Sequence, residues 1–325
     1  MIAFREMCAS TALRAGVWLG FAFRAPVPPP AAATSPVLSI VVFYDENGNG
    51  RLDAGENVRL PGVAVDVGGA TLRTERGSGR ATVPGLAPGT QRAAVQSRSL
   101  PPFYAAGAGR SETLPVAGDV SLPVTLPIGG NRPNTYLAFG DSLSEGVGSS
   151  DGSGYRSRLQ ALLREHFGEA SVRASGVEGS DSHRGARRVK RVLAQERPAY
   201  TLVLYGTNDW NEDGVVDTVT LNSLRRIVGE VKAARSLPLL ATLIPTHVGT
   251  DPRASLERNR WVERINERIA TLARQEGALL VDLHRAFATA AEPARLYSDG
   301  LHPNDAGYAL IAQVFFEALT RKAAP

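Results

Sequence analysis

The chain has 325 residues, 43% of them hydrophobic and 21% charged, and it carries a formal net charge of +4. These values are ordinary for a globular protein and allow two domains, each with its own core. Only three of the 36 basic residues are lysine, so the charge reflects an arginine-rich composition and does not predict a nucleic-acid partner. The only cysteine, Cys8, excludes an internal disulfide and a thiolate nucleophile or metal site in the body of the chain.

The amino-terminal segment, residues 1–34, has the order of features of a secretory signal. Arg5 and Arg14 precede the apolar stretch AGVWLGFAF, and the small residues AAATS follow, with cleavage expected near Ala33. We therefore expect a bacterial protein that is secreted, periplasmic or on the cell surface; the alternative is a disordered extension. No run reaches the ~18 apolar residues that a membrane-spanning helix needs.

Residues 35–128 have the composition of a small all-β domain. Short runs rich in valine and threonine are separated by glycine and proline about every eight to twelve residues, which is typical of a β-sandwich. The runs are VLSIVVFY, GVAVDV, GRATVPGL, QRAAVQS and DVSLPVTLPI. The segment GGNRPN, residues 129–134, is predicted to be a linker.

In residues 135–325 the pattern changes to alternating strands and helices. The predicted strands are TYLAF, ASVRAS, YTLVLYG, LPLLATLIP and ALLVDL, and the predicted helices cover 155–167, 182–195, 218–234, 254–277 and a terminal segment from Asp305. This alternation predicts an α/β fold with a parallel five-stranded sheet covered by helices on both faces. Ligands of such sheets bind at the carboxyl ends of the strands, so the loops there are the candidate site.

Three side chains in these loops have the chemistry of a catalytic triad. Ser142 follows the first strand of the sheet, and Asp299 and His302 lie together before the last helix. A serine hydroxyl is a weak nucleophile unless a base removes its proton, and the histidine base needs an acid that holds its tautomer. Asp299 can accept a hydrogen bond from the imidazole Nδ1 and leave Nε2 facing Ser142.

The negative charge that develops during acyl transfer also needs hydrogen-bond donors. The backbone N–H groups of Ser142 and Gly179 and the side-chain amide of Asn208 are the candidates for this oxyanion hole. Glycine at position 179 lets the backbone approach a substrate with no Cβ in the way. Gly176, in the same loop, is a competing candidate.

The strings FGDSLSEG, SGVEGSDS, YGTNDW and SDGLHPNDAGY, in this order, resemble those of the SGNH or GDSL hydrolases. The resemblance spans residues 135 to about 320 and implies a flavodoxin-like α/β/α fold and ester hydrolysis through an acyl-enzyme, without a cofactor for catalysis. By position it makes Ser142 the nucleophile, His302 the base, Asp299 the orienting acid, and Gly179 and Asn208 members of the oxyanion hole. One departure is Ala174, where the family often has asparagine.

Several of these features also have plainer interpretations. A serine after Gly-Asp most often serves as a turn or helix-capping residue. Residues 148–152, GSSDG, fit the GxSxG string of other serine hydrolases, but no strand leads into them, so we interpret the match as accidental. His247, after the fourth predicted strand, is a candidate for lining the substrate cleft.

A stripe of arginines follows the Gly179 loop. Arg184, Arg187, Arg188 and Arg191 are spaced to share one face of the second predicted helix. The default interpretation is a solvated face. The alternative is a stripe that attracts an anionic substrate or surface to the neighbouring loop.

The segment DENGNGRLDAGE in the first domain has the spacing of a calcium-binding loop. Calcium takes roughly six to eight oxygen ligands, and a central glycine allows the sharp turn. The candidate ligands are Asp45, Asn47, Asn49, Arg51 through its carbonyl, Asp53 and Glu56. With the later PGVAV and GLAPGT, the segment resembles the B-type repeat domains of bacterial surface adhesins, which implies a prealbumin-like β-sandwich with structural calcium. The alternative is a polar hairpin without metal.

Together these patterns predict a serine esterase preceded by a small β-sandwich. The expected substrate is a small-molecule or polysaccharide ester, such as an acetylated carbohydrate or a short-chain acyl ester. The alternative is a non-catalytic surface adhesin or carbohydrate-binding protein on a hydrolase scaffold. The sequence predicts no nucleic-acid partner and no membrane span, and it does not predict the oligomeric state.

Overall fold

The computed structural model describes residues 37–116, 118–211, 217–247 and 252–321. The predicted leader, residues 1–34, lies outside the described residues. Contacts within the chain group Ser35–Pro325 as one unit. Among the helices that the structure describes, none is both long enough and apolar enough to cross a membrane.

The described part of residues 37–128 contains two four-stranded sheets. One has the order β4-β1-β8-β6, with β1 and β8 parallel, and the other has the antiparallel order β3-β2-β5-β7. The strands are β1 Leu38–Tyr44, β2 Ala64–Val67, β3 Ala70–Arg73, β4 Arg80–Val83, β5 Gly89–Val95, β6 Ala105–Ala106, β7 Arg110–Leu114 and β8 Asp119–Thr125. Strand β1, which is buried along almost its whole length, lies inside its sheet.

Strands β3, β6 and β7 are absent from the sequence prediction. Each lies at the edge of a sheet, and β3 contains no buried residue. In β7 only Leu114 is buried. Since an edge strand with solvent on most of its surface needs no apolar run, hydrophobic patterning did not reveal these three.

The second region contains a parallel five-stranded sheet, as predicted. Its order is β10-β9-β11-β12-β13, which is the order of flavodoxin-like sheets. The strands are β9 Arg132–Gly140, β10 Ser171–Gly176, β11 Pro198–Leu204, β12 Leu237–Ala241 and β13 Leu279–Val281. Every residue of β11 is buried, as expected for a central strand covered on both faces. Strand β9 begins inside the segment that the sequence predicts as a linker.

Helices cover both faces of this sheet. They are α1 Ser142–Glu145, α2 Arg156–Phe167, α3 Ser182–Glu196, α4 Asp217–Ala233, α5 Pro252–Glu276, α6 Leu283–Ala288 and α7 Asp305–Thr320. Helices α2, α6 and α7 pack in one hydrophobic cluster, and α3, α4 and α5 pack in the other. Asp181 and Asn304 cap α3 and α7 through their side chains, which explains why these helices begin where the loops end.

The β sheets and the α/β region share one hydrophobic core. Tyr136 of β9 and Tyr200 of β11 stack with ring centroids 4.7 Å apart. The rings of Phe103 and Tyr200 meet in an edge-to-face arrangement, with centroids 6.3 Å apart. Asn134 donates a hydrogen bond of 2.8 Å to Glu46. Tyr136 and Tyr200 lie before the carboxyl ends of β9 and β11. The shared core therefore does not cover the edge of the sheet that carries the candidate site.

Candidate active site

Ser142 lies in a tight turn directly after β9. Strand β9 ends at Gly140, where a Cβ would collide with the Leu204 carbonyl and the Ser144 side chain, so only glycine fits. The Asp141 carboxylate then accepts a hydrogen bond of 3.0 Å from the backbone N–H of Leu143 and caps α1. Ser142 is therefore the first residue of a helical turn at the carboxyl edge of the sheet.

His302 connects Ser142 to Asp299. The imidazole Nε2 is 3.0 Å from the Ser142 Oγ, and Nδ1 is 2.8 Å from the Asp299 carboxylate. The His302 side chain is 17% exposed and that of Asp299 is 56% exposed. The structure therefore brings together the three residues that the sequence singles out, although Ser142 and His302 are 160 positions apart in the chain.

The carboxylate of Asp299 is held in its ionised form. Burial acts to raise its pKa, but the backbone N–H of His302, the His302 ring and the backbone N–H of Leu301 outweigh burial and lower the pKa. Both backbone bonds are 2.6 Å long and go to the same oxygen, which leaves the other oxygen for the His302 ring. A charged acceptor at Nδ1 favours the tautomer in which Nε2 can take a proton from Ser142.

The candidate oxyanion donors lie in neighbouring loops. The Asn208 Nδ2 donates a hydrogen bond of 3.1 Å to the Ser180 carbonyl, so one N–H orients the amide and the other remains for a ligand. Gly179 has a φ of +67°, and a Cβ there would meet nothing within 4 Å. Gly176, by contrast, packs against the backbone of Glu145, where a Cβ would collide. Of the two glycines, only Gly179 has open space beside it.

Asp209 fixes these two loops to each other. Its buried carboxylate accepts hydrogen bonds from the Ser182 backbone N–H at 2.8 Å and from the Ser182 hydroxyl at 2.6 Å. Burial raises the pKa of Asp209, and the Ser182 bonds lower it in part. The start of α3 is thereby joined to the loop that carries Asn208. The sequence motif contains Asp209, but no local pattern indicates this partner.

Arg188 does not belong to the solvated stripe. Its guanidinium lies 4.3 Å from the centre of the Phe139 ring and donates hydrogen bonds to the carbonyls of Gly140, at 3.0 Å, and Ser175, at 2.7 Å. It also donates to the Tyr205 hydroxyl at 2.6 Å. The side chain therefore connects the carboxyl ends of β9, β10 and β11 immediately before the Ser142 turn. Its helical spacing alone could not distinguish it from the exposed arginines.

A second arginine, Arg258 of α5, reaches the same edge of the sheet. It donates a hydrogen bond of 2.6 Å to the Thr207 carbonyl, next to Asn208. Asp141 is fully buried, and burial raises its pKa to about 7; nearby Asp209 adds to the effect, and the Arg258 charge opposes it. Asp141 thus caps the Ser142 turn with a carboxyl group whose pKa is held above its usual range by burial.

Two further predicted features have clear places in the structure. His247 is not part of the triad, but its backbone N–H bonds to the Gly300 carbonyl at 3.0 Å and its ring lies 5.9 Å from the Tyr297 ring. It therefore packs against the loop that carries His302. In the GSSDG segment, the Ser150 hydroxyl donates a hydrogen bond of 2.6 Å to Asp305. Ser150 follows a turn and not a strand, in agreement with the interpretation of this match as accidental.

The predicted calcium loop, residues 45–56, has the right donor chemistry, but its groups bond to one another. The Asp45 carboxylate accepts hydrogen bonds from the backbone N–H groups of Gly48, Asn49 and Gly50. The Asn47 and Asn49 amides both donate to Asp53 at 2.7 Å, and Glu56 accepts from the backbone of Glu46 and Asp53. No three acidic, histidine or cysteine side chains in the described residues are arranged to hold a metal. The carboxylate and amide oxygens of the loop are of the type that calcium takes, but the Asn47 and Asn49 oxygens here accept hydrogen bonds from the backbone N–H groups of Asn49 and Arg51.

The second region is similar to known esterases and acylhydrolases. Residues 138–310 match the GDSL-like Lipase/Acylhydrolase family. The chain is 30% identical over 173 residues to the thioesterase 1/protease 1/lysophospholipase L1 of Escherichia coli, covering 53% of this chain and 76% of the relative. It is 25% identical over 170 residues to esterase TesA of Pseudomonas aeruginosa, covering 52% of this chain and 79% of that protein.

Solved structures share the fold. A variant of Axe2, an acetyl xylan esterase from Geobacillus stearothermophilus, superposes with a TM-score of 0.50 and 22% identity, covering 60% of this chain and 98% of the other. LAE5, an α/β hydrolase enzyme from the metagenome of Lake Arreo, Spain, gives the same values. At this level of identity the similarity concerns the fold alone.

Proposed function

The chain belongs to the GDSL-like lipase/acylhydrolase family and is a carboxylic ester hydrolase, and we propose that it works as a serine esterase with Ser142 as its nucleophile. The observation that carries this proposal is the chain of hydrogen bonds from Ser142 through His302 to Asp299. A non-catalytic adhesin would have no need for this arrangement at the edge of the sheet.

The proposed reaction has two stages, acylation and deacylation. The Ser142 Oγ attacks the ester carbonyl while the His302 Nε2 takes its proton, and Asp299 stabilises the resulting imidazolium. The negative oxygen is held by the backbone N–H groups of Ser142 and Gly179 and by the Asn208 amide. His302 then protonates the leaving alcohol. Water, deprotonated by His302, attacks the acyl-enzyme to form a second tetrahedral intermediate. As this intermediate collapses and releases the acid, His302 returns the proton to the Ser142 Oγ and both residues regain their starting state. No metal or organic cofactor enters these steps.

A serine-directed phosphonate tests this proposal. We expect the intact protein to be labelled once, with the mass of one phosphonate adduct located on the peptide that contains Ser142, because only an activated serine reacts readily. A protein that hydrolyses p-nitrophenyl acetate without being labelled, or that is labelled at another serine, would contradict the proposal.

Asn208 is proposed to stabilise the transition state and not the bound ester. We expect Asn208→Ala to lower kcat by about 10²- to 10³-fold with little change in KM, because one donor of an oxyanion hole contributes about 3–4 kcal/mol in the transition state. Steady-state kinetics on p-nitrophenyl acetate measure kcat and KM separately. An increase in KM at unchanged kcat would place Asn208 in ground-state binding.

We propose an acetylated carbohydrate or a short-chain acyl ester as substrate. The exposed indole of Trp210, two residues after Asn208, is a surface on which a sugar ring or a short acyl group can pack. The adhesin-like sequence of residues 35–128 also favours an extracellular carbohydrate. Comparing p-nitrophenyl acetate with longer acyl esters, and then acetylated xylan, distinguishes these substrates, since a preference for long acyl chains would contradict a short-chain site.

For residues 35–128 we propose a β-sandwich whose loop 45–56 binds calcium as a structural ion. We expect calcium at about 100 times its Kd to stabilise the protein by about 2.7 kcal/mol and to raise Tm by roughly 5 °C over the protein in EGTA. In Asp53→Asn the calcium-dependent rise should disappear, whereas in the matched variant Asp66→Asn, at an exposed position of β2, it should persist. Equal melting temperatures of the unmodified protein in calcium and EGTA would count against the ion.

A further inference from the structure

The exposed surface of α3 is exceptionally basic for this protein. His183, Arg184, Arg187, Lys190 and Arg191 are exposed on it. No aspartate or glutamate occurs in the helix before Glu196, which pairs with Arg173. The large apolar residues Val189 and Leu193 point into the core. The outer surface of α3 therefore carries positive charge over most of its length.

Helix α5 is the internal comparison. Its exposed arginines, such as Arg260 and Arg264, alternate with exposed glutamates, such as Glu263 and Glu267. Arg268 of α5 pairs with Asp217, which begins α4. The arginine-rich composition of the chain thus gives a charge-balanced surface on α5 and an unbalanced one on α3, so composition alone does not explain the basic surface.

Most of the basic side chains of α3 lack acidic partners within the described residues. Arg184 pairs with Asp181 at 3.3 Å, but no ion pair in the described ranges contains Arg187, Lys190 or Arg191. We call these three residues the basic row. Two acids lie near it: Glu178 precedes Gly179, and Glu230 of α4 lines a groove with Lys190. These two carboxylates do not balance the three positive charges of the basic row.

The basic row leads to the candidate active site. The Arg184 guanidinium donates a hydrogen bond of 3.4 Å to the Gly179 carbonyl, so the first turn of α3 touches the oxyanion loop. Further along, Arg188 is bonded to the Gly140 carbonyl, which keeps α3 beside the turn of Ser142. From Arg184, which touches the oxyanion loop, to Arg191, at the far end of the basic row, the helix rises about 10 Å, at about 1.5 Å per residue. A ligand that reaches from the oxyanion loop to Arg191 must extend well beyond the ester group.

We propose that the natural substrate is an ester carried on an anionic polymer, of the class of acidic polysaccharides, and that the basic row holds this polymer beside the active site. This inference rests on the proposed esterase function. Fixed positive charges beside a cleft raise the local concentration of an anionic substrate and its rate of association. Arg184, Arg187 and Arg191 are spaced along one side of α3, starting at the oxyanion loop, and this arrangement fits an extended chain. A membrane-binding helix would expose large apolar residues beside its basic ones, and α3 buries them.

The test compares two variants with the same change in net charge. One is Arg187→Gln/Lys190→Gln/Arg191→Gln in the basic row, and the control is Arg226→Gln/Arg260→Gln/Arg264→Gln on α4 and α5. Binding of unesterified polygalacturonate is measured first, because it needs no catalysis. We expect the row variant to weaken binding at least tenfold at low ionic strength, the control less than twofold, and the difference to shrink in about 0.5 M salt because of screening.

Kinetics then connect binding to catalysis. On acetylated polygalacturonate the row variant should lose kcat/KM about tenfold, while its kcat/KM on p-nitrophenyl acetate should stay that of the unmodified protein. Polymer binding that is equally weak in both variants, or absent in the unmodified protein, would overturn the inference. Binding to phosphatidylglycerol vesicles but not to the polymer would overturn it in favour of a lipid surface. Failure of the esterase proposal would appear separately, as absence of p-nitrophenyl acetate hydrolysis in every variant.

Discussion

Ser142→Ala is expected to lower kcat for p-nitrophenyl acetate by about 10⁴-fold or more, because the attacking oxygen is removed and only the oxyanion donors and substrate binding remain to catalyse the attack of water. The fold should be unaffected. The Ser142 side chain caps no helix, and the turn around it is held by Asp141 and Arg188. Circular dichroism and Tm should therefore match the unmodified protein.

Ser150→Ala is the matched control. Ser150 lies in the GSSDG string, and its hydroxyl donates a hydrogen bond to Asp305. We expect this variant to keep kcat within about twofold, because an exposed hydrogen bond contributes little to the fold. If Ser150→Ala lost activity and Ser142→Ala kept it, the GxSxG interpretation would replace the one proposed for Ser142.

Asp299→Asn is expected to lower kcat by about 10³-fold. An amide in place of the carboxylate no longer offers a charged acceptor to the His302 Nδ1, so the tautomer and the imidazolium both lose support. The exposure of Asp299, at 56% of its side chain, allows water to replace part of this interaction, which places the expected loss below that of Ser142→Ala. KM should change little, since Asp299 does not touch the ester in this mechanism.

The pH dependence of this loss follows from the sign of the Asp299 pKa shift. Backbone and ring hydrogen bonds lower the pKa of Asp299, so the carboxylate stays ionised in the folded protein as the pH falls, until the pH passes through that lowered value. Asp299 should therefore be a charged acceptor throughout about pH 5 to 8, and Asp299→Asn should lower kcat at every pH in this range. Asp151→Asn, a matched change at an exposed carboxylate, should leave kcat unchanged. A loss confined to one end of this pH range would contradict the role of Asp299 as a permanently charged acceptor.

The sequence by itself determined the architecture of the second region and singled out the residues that the structure brings together at the candidate site. Buried parallel strands need continuous apolar runs and the helices between them need one apolar face, so β9 to β13 and the helices α2, α3, α4, α5 and α7 are readable from local periodicity. Ser142, Asn208 and His302 were identifiable because their loops follow strand ends or precede a helix, and because each residue type has a distinct chemistry.

Other features depended on contacts between distant parts of the chain. The edge strands β3 and β7 bury almost nothing, so no local pattern marks them. Arg188 and Arg187 are neighbours with the same charge, and only the packing of α3 on β9 and β10 turns Arg188 inward while Arg187 faces solvent. The stacking of Tyr136 on Tyr200 likewise arises from strand register. Sequence patterning reports the side of an element that is buried; the partner it meets is decided by tertiary packing, because that partner can lie anywhere in the chain.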